Sequence, residues 1–480
     1  MRLTSAPTCL CCLIMMGVVA PALEARDSLT LPPAVDRIMT KRGIPPAAVS
    51  VWAQDVDSDQ VVLAFNSEEP RNPASTIKTV TTFAALDMLG PAYTWKTRAY
   101  TRGQITNGTL DGDLILVGGG DPFMTAERWW AFVGAVRRAG VETINGDVVI
   151  DNGLLAPFDQ DRAAFDGQPF RTYNVAPDGL IVNFQTSEFL IAADPAQRRV
   201  RVTVDPMPAN LQVLNELKLG SGSCRGYNRG VSFSSPDGVE GHVVRLSGTF
   251  PAACGRFSIN RAIMSAPTYA YGTFRSLFEQ AGGRISGGLR VEARPDDARL
   301  LLTYDSLTLA EIIRLVNKFS SNVMARTLLL TMGAEKFGVP ATEEKGRQAM
   351  VDWIAARGLA LSGFWMANGS GLSRDERITA QGLAAVLHAA WHSRFMPEFS
   401  ASLPLSAIDG TLRNRFRTVG MEGRLRMKTG RLDDVNGLAG YVTAASGRRF
   451  IVVVFVNHTG AHRGPGEEVQ NALLRWVFGQ

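Results

Sequence analysis

The chain has 480 residues, of which 45% are hydrophobic and 20% are charged. This composition is sufficient for two or three domains with their own cores and excludes extensive disorder. The formal net charge of +5 comes without a basic tract that is interleaved with aromatic residues, so nucleic-acid binding is not indicated.

The N-terminal residues are typical of an export signal. Arg2 provides a positive start, the stretch from Cys9 to Val19 is apolar, and Ala20-Pro21-Ala22 and Ala25 offer cleavage sites. We therefore expect a cleaved signal peptide over residues 1–25, a periplasmic protein and at most peripheral membrane contact. A retained anchor is the alternative, although the apolar stretch is short for a membrane-spanning helix.

The elements that follow predict the start of an α/β domain. Residues 29–43 have a helical pattern, 47–53 and 60–66 resemble a hairpin, and an apolar helical face follows Ser75. From about residue 93 to 286 the pattern consists of short apolar or alternating runs between Gly, Pro, Asp and Asn. This pattern indicates β-rich inserted material, in which Trp129-Trp130 is expected in the core.

Helical periodicity returns in the second half of the chain. The predicted helices are residues 269–280, 309–316, 322–331, 342–357 and 379–390. Two apolar strands follow, and residues 467–478 form a last helix with one apolar side. Such a stripe is expected to pack against a sheet, and an interfacial membrane anchor is the alternative.

Two cysteines remain once the signal peptide is removed. Cys224 and Cys254 are an even pair in an oxidising compartment, so we predict a disulfide between them, with two free thiols as the alternative. The five histidines are scattered and no CxxC or HExxH motif occurs, which disfavours a zinc hydrolase. No metal and no other cofactor is expected.

Three short strings occur in a fixed order: Ser75-Thr76-Ile77-Lys78, Ser320-Ser321-Asn322 and Lys428-Thr429-Gly430. Taken singly, they are typical of a helix start, a polar bend between helices and the end of a strand. Taken together, they match the S-x-x-K, S-x-N and K-T-G signature of penicillin-binding proteins and serine β-lactamases.

The lysines in these strings strengthen the match. Only 8 of the 50 basic residues are lysine, yet two of them, Lys78 and Lys428, fall inside the strings. Arginine would not serve at position 78, because its guanidinium is not deprotonated in a protein whereas a buried lysine ammonium can be.

The whole chain resembles the low-molecular-mass penicillin-binding proteins of the D-alanyl-D-alanine carboxypeptidase/endopeptidase type, the S13 serine peptidase family. The long interval over residues 79–319, the strings Asn368–Arg374 and Asp409–Arg413, and Gly437–Val442 are similar to features of that family. The resemblance is weakest over about 185–262.

The resemblance implies the domain organisation. A β-lactamase/transpeptidase-like α/β domain would comprise residues 26–92 and 287–480. A large β-rich insertion domain would comprise residues 93–286 and would carry a further small nested domain over about 185–262. The resemblance also implies peptidoglycan stem peptides and cross-links as substrates and β-lactam antibiotics as inhibitors.

The chemistry assigns a role to each string. Ser75 is the expected nucleophile and Lys78, one helical turn later, its base. Ser320 is expected to relay a proton from Lys78 to the leaving group, and Asn322 to orient Lys78 and bind the substrate amide. Lys428 is also expected to raise the local positive potential.

The remaining predicted site residues bind substrate. Lys428 and Thr429 would hold the terminal carboxylate, and Gly430 would leave the strand bare for the peptide. By analogy with the family, the backbone N–H of Arg431 would join that of Ser75 in the oxyanion hole. Asp166 is the candidate for recognising the third residue of the peptide, with an ordinary loop acid as the alternative.

Two other functions use the same residues. A serine β-lactamase would deacylate faster, but the insertion is unexplained in that case and no β-lactamase-type glutamate in a short omega loop is evident. A β-lactam or peptidoglycan sensor would form an acyl-enzyme that never turns over. The deacylation rate distinguishes these alternatives, and it depends on how a water molecule is positioned.

Overall fold

The computed structural model describes residues 30–158, 161–236, 238, 241–417 and 420–480. The predicted signal peptide over residues 1–25, with its three cysteines, lies outside the described residues. None of the helices in the described ranges combines the length and the apolar character needed to cross a membrane.

The α-helices of the described residues all lie before residue 139 or after residue 265. Within the described residues they are α1 (Pro33–Arg42), α2 (Lys78–Leu89), α3 (Ala126–Arg138), α4 (Ala266–Gln280), α5 (Leu309–Phe319), α6 (Asn322–Phe337), α7 (Glu343–Ala356), α8 (Ala380–Trp391), α9 (Met396–Ser402) and α10 (Pro465–Phe478).

Within the described ranges, the strands form four sheets. They are β1 (Val49–Asp55), β2 (Val61–Phe65), β3 (Lys96–Thr106), β4 (Thr109–Val117), β5 (Thr143–Ile144), β6 (Val148–Asp151), β7 (Ser187–Asp194), β8 (Arg199–Asp205), β9 (Gln212–Gly220), β10 (Val231–Ser234), β11 (Val243–Pro251), β12 (Arg256–Arg261), β13 (Arg284–Ile285), β14 (Leu289–Val291), β15 (Arg299–Asp305), β16 (Leu425–Leu432), β17 (Val435–Thr443) and β18 (Arg449–Asn457).

The central domain is built on an antiparallel sheet in the order β16-β17-β18-β1-β2. One core cluster joins α1 and α10 to one face of this sheet, and another joins α2, α5, α6 and α8 to the opposite face. Because both faces are covered, β17 and β18 are buried along nearly their whole length, and β18 is continuously apolar from Phe450 to Val456. The last helix therefore packs against the sheet, as the apolar stripe predicts.

The inserted segment forms a second, seven-stranded sheet that extends further than the sequence predicts. Its β15 pairs antiparallel with β3, so the sheet continues to Asp305, beyond the expected boundary at residue 286. Strand pairing across about 200 residues is a non-local interaction that local periodicity does not reveal. A second expectation was half right: Trp129 is in the core, but Trp130 on the same helix is 67% exposed.

Two three-stranded sheets follow within the insertion. They have the orders β12-β7-β8 and β10-β11-β9 and lie within residues 187–261. The disulfide predicted between Cys224 and Cys254 is present, and it joins the segment before β10 to the turn before β12.

Candidate active site

The proposed nucleophile lies where a short 3₁₀ turn, Ala74–Ile77, enters α2. Side chains three residues apart eclipse one another in a 3₁₀ turn, so Ser75 and Lys78 face the same direction. Lys78 Nζ is 2.9 Å from Ser75 Oγ. The first string therefore leads into α2 and also pairs the Ser75 hydroxyl with the Lys78 amine.

Glycines allow three segments to approach this turn closely. A Cβ atom at Gly430 would lie 2.5 Å from the carbonyl oxygen of Pro73, and one at Gly371 would lie 2.1 Å from that of Ala74. A Cβ atom at Gly437 would also be 2.8 Å from the Pro73 oxygen. The bare backbones of β16 and β17 thus press against the segment that presents Ser75.

Lys78 is fully buried and has three polar partners. Besides Ser75, its ammonium donates to Asn322 Oδ1 at 2.7 Å and to the carbonyl oxygen of Ser370. Burial lowers the pKa of Lys78 well below its usual value, and the charge of Lys428 lowers it further, while Glu376 acts in the opposite direction. A lysine with a depressed pKa can accept the proton of a neighbouring hydroxyl.

The second string connects α5 to α6. Ser320 adopts a left-handed conformation, with φ of 60°, at the end of α5, and Ser321 caps the start of α6. Ser320 Oγ accepts a hydrogen bond from Lys428 Nζ at 2.8 Å. Ser320 was expected to pair with Lys78, whereas the hydrogen bond in the structure joins it to Lys428.

The third string lies on β16, the edge strand of the central sheet. Leu405 pairs with Arg426 at the start of this strand, and the Lys428–Gly430 segment lies beyond that bridge. Lys428 is fully buried, which lowers its pKa to about 7. Thr429 Oγ1 donates to Thr411 Oγ1 at 2.8 Å.

Arg431 and Asp166 lie at the margins of this arrangement. Arg431 directly follows Gly430 on β16 and its side chain is exposed. Asp166 is an exposed residue of the insertion, and it accepts hydrogen bonds from Tyr173 Oη and, at 2.9 Å, from Asn174 Nδ2. The carbonyl oxygen of Tyr173 accepts a hydrogen bond from Asn322 Nδ2 at 3.3 Å. Tyr173 and Asn322 therefore connect Asp166 to Lys78 through hydrogen bonds.

Sequence reasoning missed several residues of the site. The carbonyl of Ser370, the side chain of Thr411 and the backbone of Tyr173 contact predicted site residues. Two of the three lie in strings already noted for their resemblance, Asn368–Arg374 and Asp409–Arg413, which was the available signal.

Glu376 is the missed residue with the largest electrostatic effect. It is completely buried, and its Oε1 accepts a 3.4 Å hydrogen bond from the backbone N–H of Asn368. Burial raises the pKa of Glu376 to about 7, against the opposing effects of backbone hydrogen bonds and Lys78. It thus provides a titratable charge close to the base.

A cleft of about 640 Å³ adjoins the site between the insertion and the central domain. Tyr173, Phe184 and Glu188 line one side, and Phe319, Ser320 and Asn322 line the other. The groups that meet at Ser75 are hydroxyls, an amide and amines, which suit acyl transfer rather than metal binding.

The chain is similar to known proteins over most of its length. The D-Ala-D-Ala carboxypeptidase 3 (S13) family model matches residues 31–477. A D-alanyl-D-alanine carboxypeptidase from an Actinomadura species is 27% identical over 442 residues, covering 89% of this chain and 81% of the relative. The D-alanyl-D-alanine carboxypeptidase DacB of Haemophilus influenzae is 23% identical over 415 residues, 85% of each protein.

Solved structures agree at the level of the fold. The crystal structure of penicillin-binding protein 4 (dacB) from Haemophilus influenzae has a TM-score of 0.79 at 22% identity, covering 93% of this chain and 99% of that one. Its complex with a novel β-lactam has a TM-score of 0.75. The expected α/β architecture with its large β-rich insertion is confirmed.

Proposed function

Because the chain belongs to the D-Ala-D-Ala carboxypeptidase 3 (S13) family and is therefore a hydrolase, we propose that it cleaves peptidoglycan peptides through an acyl-enzyme on Ser75. One observation carries the proposal: the buried Lys78 lies 2.9 Å from Ser75 Oγ, in surroundings that lower its pKa. A neutral amine at this position has the properties of a general base.

Acylation begins with proton transfer from Ser75 to neutral Lys78. The freed alkoxide attacks the carbonyl carbon between the two terminal D-alanines, and the backbone N–H groups of Ser75 and Arg431 receive the developing oxyanion. Asn322 keeps Lys78 in place through the 2.7 Å hydrogen bond. The C–N bond then breaks and the terminal D-alanine leaves as an amine.

The leaving amine requires a proton, which Ser320 donates in this proposal. The proton that Lys78 took from Ser75 is then returned to the Ser320–Lys428 pair, so the transfer balances. Its hydroxyl is 2.8 Å from Lys428 Nζ, whose pKa of about 7 permits proton exchange near neutrality. Lys428 and Thr429 also hold the terminal carboxylate of the substrate, for which a cation and a hydroxyl are suitable partners. The peptide adds as a strand along the edge of β16.

Water then hydrolyses the acyl-enzyme. The same attack applies to a stem peptide that ends in D-Ala-D-Ala and to a cross-link, whose leaving group is a longer amine. A β-lactam opens on Ser75 in the same way but retains its leaving amine, so inhibition by penicillin is part of the proposal. β-Lactamase activity and a non-turnover sensor are the alternatives, and the lifetime of the adduct separates them.

The proposal includes recognition of the third residue of the peptide by Asp166. This exposed carboxylate is suited to bind a side-chain ammonium, and Tyr173 connects it to Asn322. We also propose export to the periplasm, where the substrate is found. The disulfide between Cys224 and Cys254 is consistent with an oxidising compartment.

The test is the intact mass of the signal-free protein during incubation with benzylpenicillin. We expect one penicilloyl group on the wild type, persisting for minutes or longer, and none on Ser75→Ala. D-Alanine release from a D-Ala-D-Ala peptide should be lost in the same variant.

Ser320→Ala provides a graded control, since it keeps the nucleophile and removes the proposed proton donor. We expect slower acylation in this variant rather than none. The absence of both an adduct and penicillin hydrolysis in the folded wild type would refute the acyl-enzyme. Rapid hydrolysis of penicillin without peptide cleavage would instead favour a β-lactamase.

A further inference from the structure

Three side chains with metal-binding atoms meet away from the catalytic site. His388 and His392 belong to the C-terminal end of α8, and Asp59 lies in the turn between β1 and β2. We propose that these three residues form a binding site for a divalent transition-metal ion of the zinc type. In the sequence the histidines are scattered, and no metal was expected.

The distances fit a chelating arrangement. One ligand atom from each residue lies within 4.8 Å of the other two, and the imidazole centroids are 4.4 Å apart. His388 Nε2 already lies 2.7 Å from Asp59 Oδ1. Zinc bonds of about 2.0–2.2 Å need ligand atoms about 3–3.5 Å apart, so small side-chain rotations would close the site.

The residue types select the metal class. Histidines four residues apart on a helix project from the same side, which allows two imidazoles to bind one ion. Two imidazoles and a carboxylate suit zinc and its first-row neighbours, whereas calcium and magnesium prefer oxygen ligands only. Water would occupy the remaining positions, because His392 and Asp59 are exposed.

The local field also favours a cation. His392 is the C-terminal cap of α8, where the helix dipole places partial negative charge. The neighbouring acid of the turn, Asp57, is already paired with Arg449 at 2.9 Å, so Asp59 is the acid directed towards the histidines. Gln54 Nε2 lies 3.4 Å from Asp59 Oδ1 and supports the carboxylate from β1.

The position of the site indicates a structural role. The 12 residues of α8 span about 18 Å. The N-terminal end of this helix follows the bridge between Arg71 and Ile378 near the nucleophile segment, and the histidines lie at its other end. An ion here would fasten the β1–β2 turn to α8 and stabilise the sheet that carries the active site, without contacting substrate.

The test is calorimetric titration of the tag-free, signal-free protein with Zn²⁺ after chelator treatment. We expect one equivalent to bind the wild type and a dissociation constant that is at least about tenfold higher in His392→Gln and in Asp59→Asn. Saturating Zn²⁺ should also raise the melting temperature of the wild type, because the ion binds the folded state.

His242→Gln is the matched control, since it removes an exposed histidine from β-rich insertion material. It should bind Zn²⁺ like the wild type. Equal melting temperatures without metal, and equal penicillin acylation, would show that all variants are folded. Failure of the wild type to bind, equal binding by all four proteins, or loss of binding in His392→Gln alone would overturn the three-ligand site.

Discussion

Lys78 and Lys428 are both fully buried, but their polar contacts differ. Lys78 donates to Ser75, Asn322 and the Ser370 carbonyl, whereas Lys428 donates to Ser320 and to its own strand. Each lysine therefore supports a different hydroxyl. In the proposed reaction, Lys78 therefore acts when Ser75 attacks, and Ser320 acts when the amine leaves.

Glu376 affects the pKa of Lys78 through its charge, and replacing Glu376 tests this electrostatic effect. Its negative charge raises the pKa of Lys78 against the larger effect of burial. In Glu376→Gln we expect the acid limb of the acylation rate to move to lower pH, because neutral Lys78 then persists in more acidic solution. The measurement is the rate of penicilloyl formation from about pH 5 to 9, a range that covers the titration of buried lysine and glutamate side chains with shifted pKa values.

The stability of the same variant has a predictable sign. The pKa of Glu376 is raised to about 7 from 4.5, so the folded state holds this proton more tightly than the unfolded state. Stability is therefore lost as pH rises through the interval between these two values. We expect Glu376→Gln to be more stable than the wild type above neutrality, by at most about 3 kcal/mol, in thermal unfolding at several pH values.

Glu398→Gln on α9 is the control, because this partly buried glutamate is remote in sequence from the catalytic strings. This substitution should alter neither the pH dependence of acylation nor the pH dependence of stability. An unchanged acid limb in Glu376→Gln, together with an altered melting temperature, would reduce Glu376 to a structural residue.

At the scale of elements, the close approach of β16 to the nucleophile turn determines the geometry. A methyl group at position 430 would meet the Pro73 oxygen at 2.5 Å and the Ser75 nitrogen at 3.0 Å. We expect Gly430→Ala to slow penicillin acylation by about 10- to 100-fold, because a displacement of about 1 Å at a reacting group has effects of this size. The measurement is the acylation rate at saturating penicillin.

Gly288→Ala is the matched control for this substitution. No atom lies within 4 Å of a Cβ placed there, so the added methyl group displaces nothing. Its acylation rate should equal that of the wild type. Wild-type acylation in Gly430→Ala would mean that the turn tolerates movement and that the bare strand is not needed.

At the scale of the whole molecule, the insertion reaches the catalytic domain through hydrogen bonds. Tyr173 joins Asp166 on one side and Asn322 on the other. Burial, followed by the hydrogen bond to Asp166, raises the pKa of Tyr173 to about 12, so its hydroxyl remains a donor at neutral pH. These hydrogen bonds connect the substrate recognition proposed for Asp166 to Asn322, which contacts the proposed base Lys78.

Asp166→Asn tests this link. For a peptide with an amine on its third residue, we expect kcat/KM to fall by about 10- to 100-fold through the loss of a charged hydrogen bond. Acetylating that amine should lower the wild-type value and leave the variant nearly unchanged. Peptide hydrolysis is measured beside penicillin acylation, which should be less affected.

Asp161→Asn removes another exposed acid from the same segment and serves as its control. Equal losses for the amine-bearing and the acetylated peptide in Asp166→Asn would contradict recognition by charge. They would indicate that Asp166 only supports the loop.

Local information was sufficient for much of this architecture. The helices and strands around the three strings follow from apolar periodicity, since the period of side-chain burial is a property of neighbouring residues. The disulfide followed from counting the cysteines that remain outside the predicted signal peptide. The end of the insertion did not follow from local sequence patterns, because the pairing of β15 with β3 joins segments that are far apart in the chain.

The three strings identify the family and the residues that carry the proposed reaction, because they supply the functional groups that acyl transfer requires in the chain order that is typical of this family. Their partners became visible in the fold: Ser320 with Lys428, Asn322 with Tyr173, and buried Glu376 near Lys78. It also brought His388 and His392 to Asp59. The physical reason is that hydrogen bonds, burial and electric fields depend on distances across the fold, which the order of residues does not specify.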